Sequence, residues 1–285
     1  MLDIERLKPI HVTDLIRVGR DNDGGYVIPK SILLKSESLL SYGINKDWSF
    51  EKDFNSINPK SKIHCYDHTL SFFSLIIYTF KSFLGIIIRA LTLDKKRLNH
   101  SLNGIKIISG YFSFFKNNIY HFKNRVWHNN DNNSITIKET IKKINSDNIF
   151  IKMDIEGAEY KVFNSLFNPG NSIIGIAVEF HDIEKNSSDF NKIINEILKE
   201  YHIVHIHGNN YSNIIPQYNF PNTVEITFAN QLMIKGKIKE SEKDYPIKNL
   251  DQPNRFSKED YKLDFNLINN MKNKLDGYVR ACLGI

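Results

Sequence analysis

The chain has 285 residues, of which 41% are hydrophobic and 25% charged, proportions that exclude a disordered or fibrous protein and suit a globular one. That length accommodates one large α/β domain with decorations, or two small domains. The net charge of +6 is spread over scattered lysines, which describes a solvated surface and not a nucleic-acid stripe, so no nucleic-acid partner is expected. Cys65 and Cys282 have no metal or redox spacing, and the opening Met-Leu-Asp-Ile-Glu-Arg is no secretory signal. A reducing, cytoplasmic location is the expectation.

In chain order, Arg17 to Ile28 contains Asp21-Asn-Asp-Gly-Gly-Tyr26, a turn signal between short extended runs. It belongs to an N-terminal cleft segment, 1–35. Leu39 to Gly43 reads as the first core strand, Trp48 to Phe54 as the first helix and Lys62 to Asp67 as the second strand. Leu70 to Leu93 is apolar over a length close to a membrane span, yet Lys81 sits at its centre and Arg89 near its end, and both are costly at bilayer depth. The reading is an apolar helical insertion, 70–100, that covers a cleft or forms a homo-oligomer interface; an interfacial, peripheral membrane contact is the alternative.

Ile105 to Gly110 reads as the third strand, Ile135 to Ile144 as a helix, and Ile149 to Met153 as a buried fourth strand. Ser172 to His181 follows as the fifth, Phe190 to Glu200 as a helix, Tyr201 to His207 as the sixth strand and Val224 to Ala229 as the closing one. A polar tail, 236–285, is expected to be partly helical beyond Lys258. With no repeat and no second domain in view, the expectation is a single domain, 1–285. Its alternating elements imply a mostly parallel sheet with helices on both faces.

Ligands of such sheets bind at the carboxyl ends of the strands. The fourth strand ends in Asp154, Glu156 and Glu159 around Gly157; acids favouring a helix N-terminus would give the same pattern. A nucleotide-bearing cofactor needs a tight turn after the first strand and an acid after the second. Tyr42 and Gly43 lie in the turn Ser41-Tyr-Gly-Ile-Asn45, and Asp67 follows at about the usual 20-residue offset. The absence of Gly-x-Gly-x-x-Gly argues against a nicotinamide cofactor. Gly25 allows backbone to approach a ligand, and Tyr26 can close over it; a plain hairpin turn is the other reading.

Glu179 and His181 are two apart and share a strand face. His205 and His207 repeat the pattern on the next strand, followed by Asn209 and Asn210 as substrate-binding candidates along with Glu156. A lone histidine is more often structural than catalytic, but several at neighbouring strand ends near Asp154 can act as a base or hold an ion. Both alternatives stay open: His181, His207 and Asp154 as catalytic groups, or Asp154, Glu179 and His181 as ligands of Mg or Mn.

Lys152-Met-Asp-Ile-Glu-Gly-Ala-Glu159 resembles the hallmark of the FkbM-like S-adenosylmethionine-dependent methyltransferases. The segments around Asp21–Tyr26, Ser41–Ile44, His207–Tyr211, Pro221–Phe228 and Leu250–Asn254 are similar to segments of the same family. The resemblance implies a Rossmann-like class I methyltransferase fold with a mostly parallel seven-stranded sheet, plus the apolar insertion. It implies S-adenosylmethionine as cofactor, with Gly43 at its methionine side, Asp67 on the ribose, and Gly25, Tyr26, Tyr42 and Asp154 nearby. Ser109 and Gly110 fall where this fold class meets the adenine. The placement of Asp154, Glu179 and His181 resembles the metal ligands of catechol-type O-methyltransferases. The implied activity is O-methylation of a sugar or nucleotide-linked sugar in surface (capsular) polysaccharide biosynthesis. The competing readings are a membrane-surface binding protein on a degenerate methyltransferase fold and a nucleotide-sugar oxidoreductase.

Overall fold

The computed structural model describes residues 2–91, 104–163 and 173–265. After a short 3-10 helix at Glu5–Leu7 comes a hairpin, β1 (Leu15–Val18) and β2 (Tyr26–Pro29), paired antiparallel across the Asp-Gly-Gly turn. Then come α1 (Lys30–Lys35), β3 (Ser38–Tyr42), α2 (Ser49–Ile57), β4 (Lys62–Tyr66) and α3 (Phe72–Leu91). Next are α4 (Ile107–Phe114), β5 (Ile119–Phe122), the short β6 (Arg125–Val126) and β7 (Ser134–Ile135), α5 (Ile137–Ile144), β8 (Ile149–Met153) and α6 (Glu159–Val162). The C-terminal part brings β9 (Ile173–Phe180), α7 (Ser187–Ile197), β10 (Tyr201–Gly208), the short pair β11 (Ile214–Ile215) and β12 (Phe220–Pro221), and β13 (Val224–Asn230).

Seven of these strands form one sheet in the order β5-β4-β3-β8-β9-β13-β10. Six run parallel, and β13 enters antiparallel between β9 and β10. This is the Rossmann-like α/β architecture that the alternating pattern implies. Both sheet faces are covered. Leu40, Ile151 and Val178 pack against Ile137 and Ile144 of α5 and Phe190, Ile193 and Ile197 of α7. Their chain neighbours Leu39, Phe150 and Ala177 pack on the other side against Ile32 and Leu33 of α1 and Phe50 and Phe54 of α2. Burial on both faces explains why β8 is a continuous apolar run apart from Lys152. Each fully buried large aliphatic or aromatic side chain contributes about 1.5–3 kcal/mol.

Two expectations need correction. Ile105 to Gly110 is no strand: Ile107 to Phe114 is helical, and the edge strand is Ile119–Phe122. The short apolar run fits either state, and the deciding signal lay further on, where Ile107, Tyr111 and Phe115 recur every four residues and pack beside the second core. The tail shows no helix from Lys258 to Phe265, where Leu263 instead bridges back to Tyr245; the expected helix beyond it lies outside the described residues. The apolar segment is helical from Phe72 to Leu91, and among the described residues no helix is long and apolar enough to cross a membrane. Leu75 faces inward, while Phe73, Phe80, Phe83 and Ile87 are exposed.

Candidate active site

Register brings the strand ends level. Tyr42 of β3 lies opposite Tyr66 of β4 and Met153 of β8, so the next residues, Gly43, Asp67 and Asp154, emerge side by side. The Gly43 N–H donates to the Tyr66 carbonyl at 3.0 Å, and the Asp154 N–H donates to the Tyr42 carbonyl at 2.9 Å. Gly43 has φ +76, and a Cβ there would overlap the Asp154 carbonyl oxygen. Only glycine allows the first turn to cross so near β8. A cavity of about 1050 Å³ opens at this edge, with Gly43, Asp67, Asp154, Glu156, Glu179 and His181 in its wall.

Asp67 organises the first turn. Its Oδ2 accepts from the backbone N–H of Ile44 at 3.0 Å and of Asn45 at 2.6 Å. Its Oδ1 accepts from the Thr69 N–H at 2.7 Å and the Thr69 hydroxyl at 2.6 Å. Burial alone would raise its pKa, but these bonds to the ionised form hold it below the usual carboxylate range.

Lys152, buried in β8, donates from Nζ to the Gly43 carbonyl at 2.5 Å and stands 4.0 Å from Asp154 Oδ2. Burial disfavours its charge, but Asp154, Glu51 and Asp47 outweigh that and hold the ammonium above its ordinary value. Glu51, from α2, also lines the cavity; its Oε1 accepts from Ser41, while Oε2 is buried without a partner. The Tyr66 hydroxyl is likewise buried and unpartnered, and the residue borders the cavity.

The acidic turn after β8 is built on Glu159, which is fully buried. Its Oε1 accepts from the N–H of Ile155 at 3.1 Å and of Gly157 at 3.2 Å, and lies 3.2 Å from His181 Nδ1. Glu156 and Gly157 both take positive φ, +55 and +90, and the turn exposes the Glu156 carboxylate. His181 Nε2 stands 3.8 Å from Asp154, 3.7 Å from Glu156 and 3.9 Å from Glu179. Burial would lower the His181 pKa, but the Glu159 hydrogen bond and the neighbouring Glu179 and Asp154 push it up to about 10. It therefore carries a proton at neutral pH. Burial raises Asp154, and burial with the nearby Asp154 and Glu225 charges raises Glu179 well above the usual range. Asn209 donates to Glu179 at 2.5 Å and borders the cavity.

Other sequence candidates fall elsewhere. Tyr42 is a core residue whose hydroxyl meets Thr140 at 2.6 Å. Tyr26 is buried against Phe50, and Gly25 backs onto Arg17 and Arg20; the hairpin instead presents Arg20, Asp23 and Gly24 to the cavity. Ser109 and Gly110 stand on α4, beside a smaller second cavity. His207 is locked between Glu225 at 3.3 Å and Asp260 at 2.9 Å, behind the cavity wall. Asn210 donates to the carbonyls of Arg255, Lys258 and Glu259, pinning the C-terminal segment. His205 pairs with Asp251 at 3.0 Å. The tightest potential ligand group among the described residues is Asp154, Glu156 and His181, with atoms within 4.8 Å of one another; Glu156 takes the place expected for Glu179. Lys152, Glu51 and Tyr66 were missed. A lysine inside an apolar strand was the available signal for the first.

The arrangement fits S-adenosylmethionine. That cofactor is a sulfonium cation, and Asp47, Glu51, Asp67, Asp154 and Glu179 surround the cavity, Glu51 with a buried Oε2 that has neither a hydrogen bond nor an ion pair among the described residues. A mostly parallel sheet with a glycine turn after its first strand and an acid after its second is an arrangement that nucleotide cofactors occupy. Residues 87–203 match the methyltransferase FkbM domain. Over that stretch, which is less than half of the chain, it is similar to the FkbM methyltransferases, a match that supports an S-adenosylmethionine-dependent methyltransferase. No curated protein matches it significantly.

Among solved structures, the fibrillarin pre-rRNA processing protein of Methanococcus jannaschii is similar with TM-score 0.37 and 8% identity, over 79% of this chain and 71% of that one. Precorrin-6y C5,15-methyltransferase of Geobacter metallireducens gives 0.35 and 10%, over 71% and 86%. The plantazolicin methyltransferase in complex with SAH gives 0.33 and 9%, over 70% and 82%. These likenesses are too slight to bear on function.

Proposed function

We propose that this methyltransferase transfers the methyl group to a hydroxyl of a sugar or nucleotide-linked sugar, in surface polysaccharide biosynthesis in the cytoplasm. The observation that carries the reading is the convergence of Asp154, Glu156, Glu179, His181 and Asn209 on the cavity above the Gly43 turn. A wall so rich in hydrogen-bonding groups suits a polyol. Gly43 and Lys152 shape the cofactor side, and Asp67 fixes the loop that closes on the ribose. The cofactor supplies an electrophilic methyl, so the protein must hold an acceptor oxygen in line and take its proton. Asp154, at the strand end between the Gly43 turn and His181, is the proton acceptor in this reading. His181, protonated and anchored by Glu159, orients the acceptor oxygen as a donor; Glu156 and Asn209 bind neighbouring hydroxyls.

The grouping of Asp154, Glu156 and His181 supports a second reading, in which they hold a divalent ion. Two carboxylates and an imidazole suit Mg or Mn, and such an ion would acidify the acceptor hydroxyl. The test is methyl transfer from labelled S-adenosylmethionine to a panel of free and nucleotide-linked sugars, with calorimetry for cofactor binding. Label in a sugar ether supports the proposal. Cofactor binding with transfer solely to a non-sugar acceptor refutes the sugar assignment.

A further inference from the structure

A second cavity, of about 570 Å³, adjoins the first. Arg20, Lys46, Asp47 and Tyr78 belong to both walls, so the two spaces form a main chamber and an annex. Lys46, Lys52 and Lys106 face the annex from three different segments: the loop after β3, the first turn of α2 and the start of α4. Asp47 is the one acid of the annex wall among the described residues. It is already matched, with Oδ2 2.9 Å from Arg20 Nε and Oδ1 accepting from the Ser49 N–H at 3.1 Å. Among the described residues no carboxylate pairs with any of the three lysines; Lys46 Nζ lies 5.2 Å from the centre of the Tyr78 ring. The annex is therefore a cationic recess beside an acidic chamber.

Local electrostatics favour an anion in this recess. Lys106 occupies the N-cap position of α4, which has no side-chain cap and no acid in its first turn. A cation at the positive end of a helix dipole is unfavourable, and an anion there is favourable. Lys46 and Lys52 add two further cations to the same recess. An unsubstituted sugar carries no charge to meet these cations, whereas a phosphate group does. The annex is also large enough for two linked phosphates, with the main chamber continuing beyond.

We propose that the annex binds the diphosphate of a diphosphate-linked sugar acceptor, which places the sugar in the main chamber beside Asp154. This rests on the sugar-acceptor reading and adds the group that anchors the acceptor. The diphosphate has two chemical sources. One is a nucleoside diphosphate; the other is a lipid diphosphate, whose tail could follow the exposed Phe73, Phe80 and Phe83 of α3, the helix that contributes Tyr78.

The test uses the full-length protein, with inorganic pyrophosphate as probe in calorimetry at low salt. Wild-type protein should bind it, and the double variant Lys52→Gln/Lys106→Gln should weaken binding about tenfold or more, since each lysine contributes a charge-assisted contact. Lys60→Gln, an exposed lysine away from the annex, should leave it unchanged. S-adenosylmethionine affinity should be the same in all three proteins, which shows that the variants fold. Displacement of pyrophosphate by uridine diphosphate identifies the nucleotide source, and displacement by a short-chain prenyl diphosphate identifies the lipid source. No pyrophosphate binding, equal loss in Lys60→Gln, or no displacement by either compound overturns the proposal. Pyrophosphate binding that persists while no sugar is methylated refutes the sugar acceptor instead and leaves the annex as an anion site.

Discussion

Glu159 and His181 meet across the mouth of the cavity, Oε1 to Nδ1 at 3.2 Å, with the Glu159 carboxylate fully buried and His181 partly open to the chamber. The same oxygen accepts from Ile155 and Gly157, so one carboxylate sets both the acidic turn and the imidazole. Glu159 is buried outside the cavity lining and in this reading acts as a positioning residue. Glu159→Gln should lower stability by about 2–4 kcal/mol, since it leaves a buried charged partner uncompensated. It should reduce kcat by about 10–100-fold with S-adenosylmethionine affinity nearly unchanged. Its pH profile should shift as well, because the hydrogen bond that holds the His181 proton weakens. A variant with lower stability and an unmoved pH profile would reduce Glu159 to a structural role.

Asp67 makes a different demand. Its two oxygens accept four close hydrogen bonds from Ile44, Asn45 and Thr69. Asp67→Ala should weaken S-adenosylmethionine binding by about 1.5–3 kcal/mol in calorimetry, because buried donors lose a charged acceptor and the loop relaxes. Asp67→Asn, which keeps one acceptor oxygen, should fall between wild type and alanine. Equal affinity in all three proteins would remove Asp67 from the cofactor site.

The strands that build the sheet could be read from the sequence because both of their faces are buried. Ile149–Met153 is a near-continuous apolar run, and it and Lys62–Tyr66 are each followed by an acid, Asp154 and Asp67. Ile105–Gly110 misled because its isoleucines serve a helix that packs on Trp48 through Tyr111. Asp154, Asp67 and Gly43 could be placed because each directly follows a strand. The others depended on tertiary register. His207 lies on a strand that pairs with β13, where Glu225 stands opposite and captures it. Tyr26 and Tyr42 carry polar hydroxyls, yet their rings face the core. Glu156 could not be ranked above Glu179 as a neighbour of Asp154, because that depends on the positive-φ turn at Glu156 and Gly157.

Chelation separates the two readings of the site. With Asp154 as the proton acceptor, thorough chelation should leave turnover intact, and Asp154→Asn should cost about 10²–10⁴-fold in rate while cofactor affinity stays within a few-fold. Loss of turnover on chelation, with recovery in Mg or Mn and one ion per chain by elemental analysis, would transfer the site to the metal reading. Full activity of Asp154→Asn would remove the residue from the chemistry altogether.

His207 provides the pH dependence of stability. It is buried, which would lower its pKa, but the hydrogen bonds to Asp260 and Glu225 push it from the ordinary 6.5 up to about 10. Between those values the folded protein keeps a proton that the unfolded chain has lost, so stability must fall as pH rises. The contribution is complete below about pH 6.5 and disappears as pH passes through 10. At 1.36 kcal/mol per pKa unit, its ceiling is about 4–5 kcal/mol, and relaxation around a buried cluster reduces it. Other groups titrate in the same range, so the informative quantity is the difference from His207→Gln. That variant should be less stable at pH 7 and lose less stability between pH 7 and 10 in denaturant titrations. A wild-type curve parallel to that of the variant would show that the Asp260–His207–Glu225 cluster does not hold the proton.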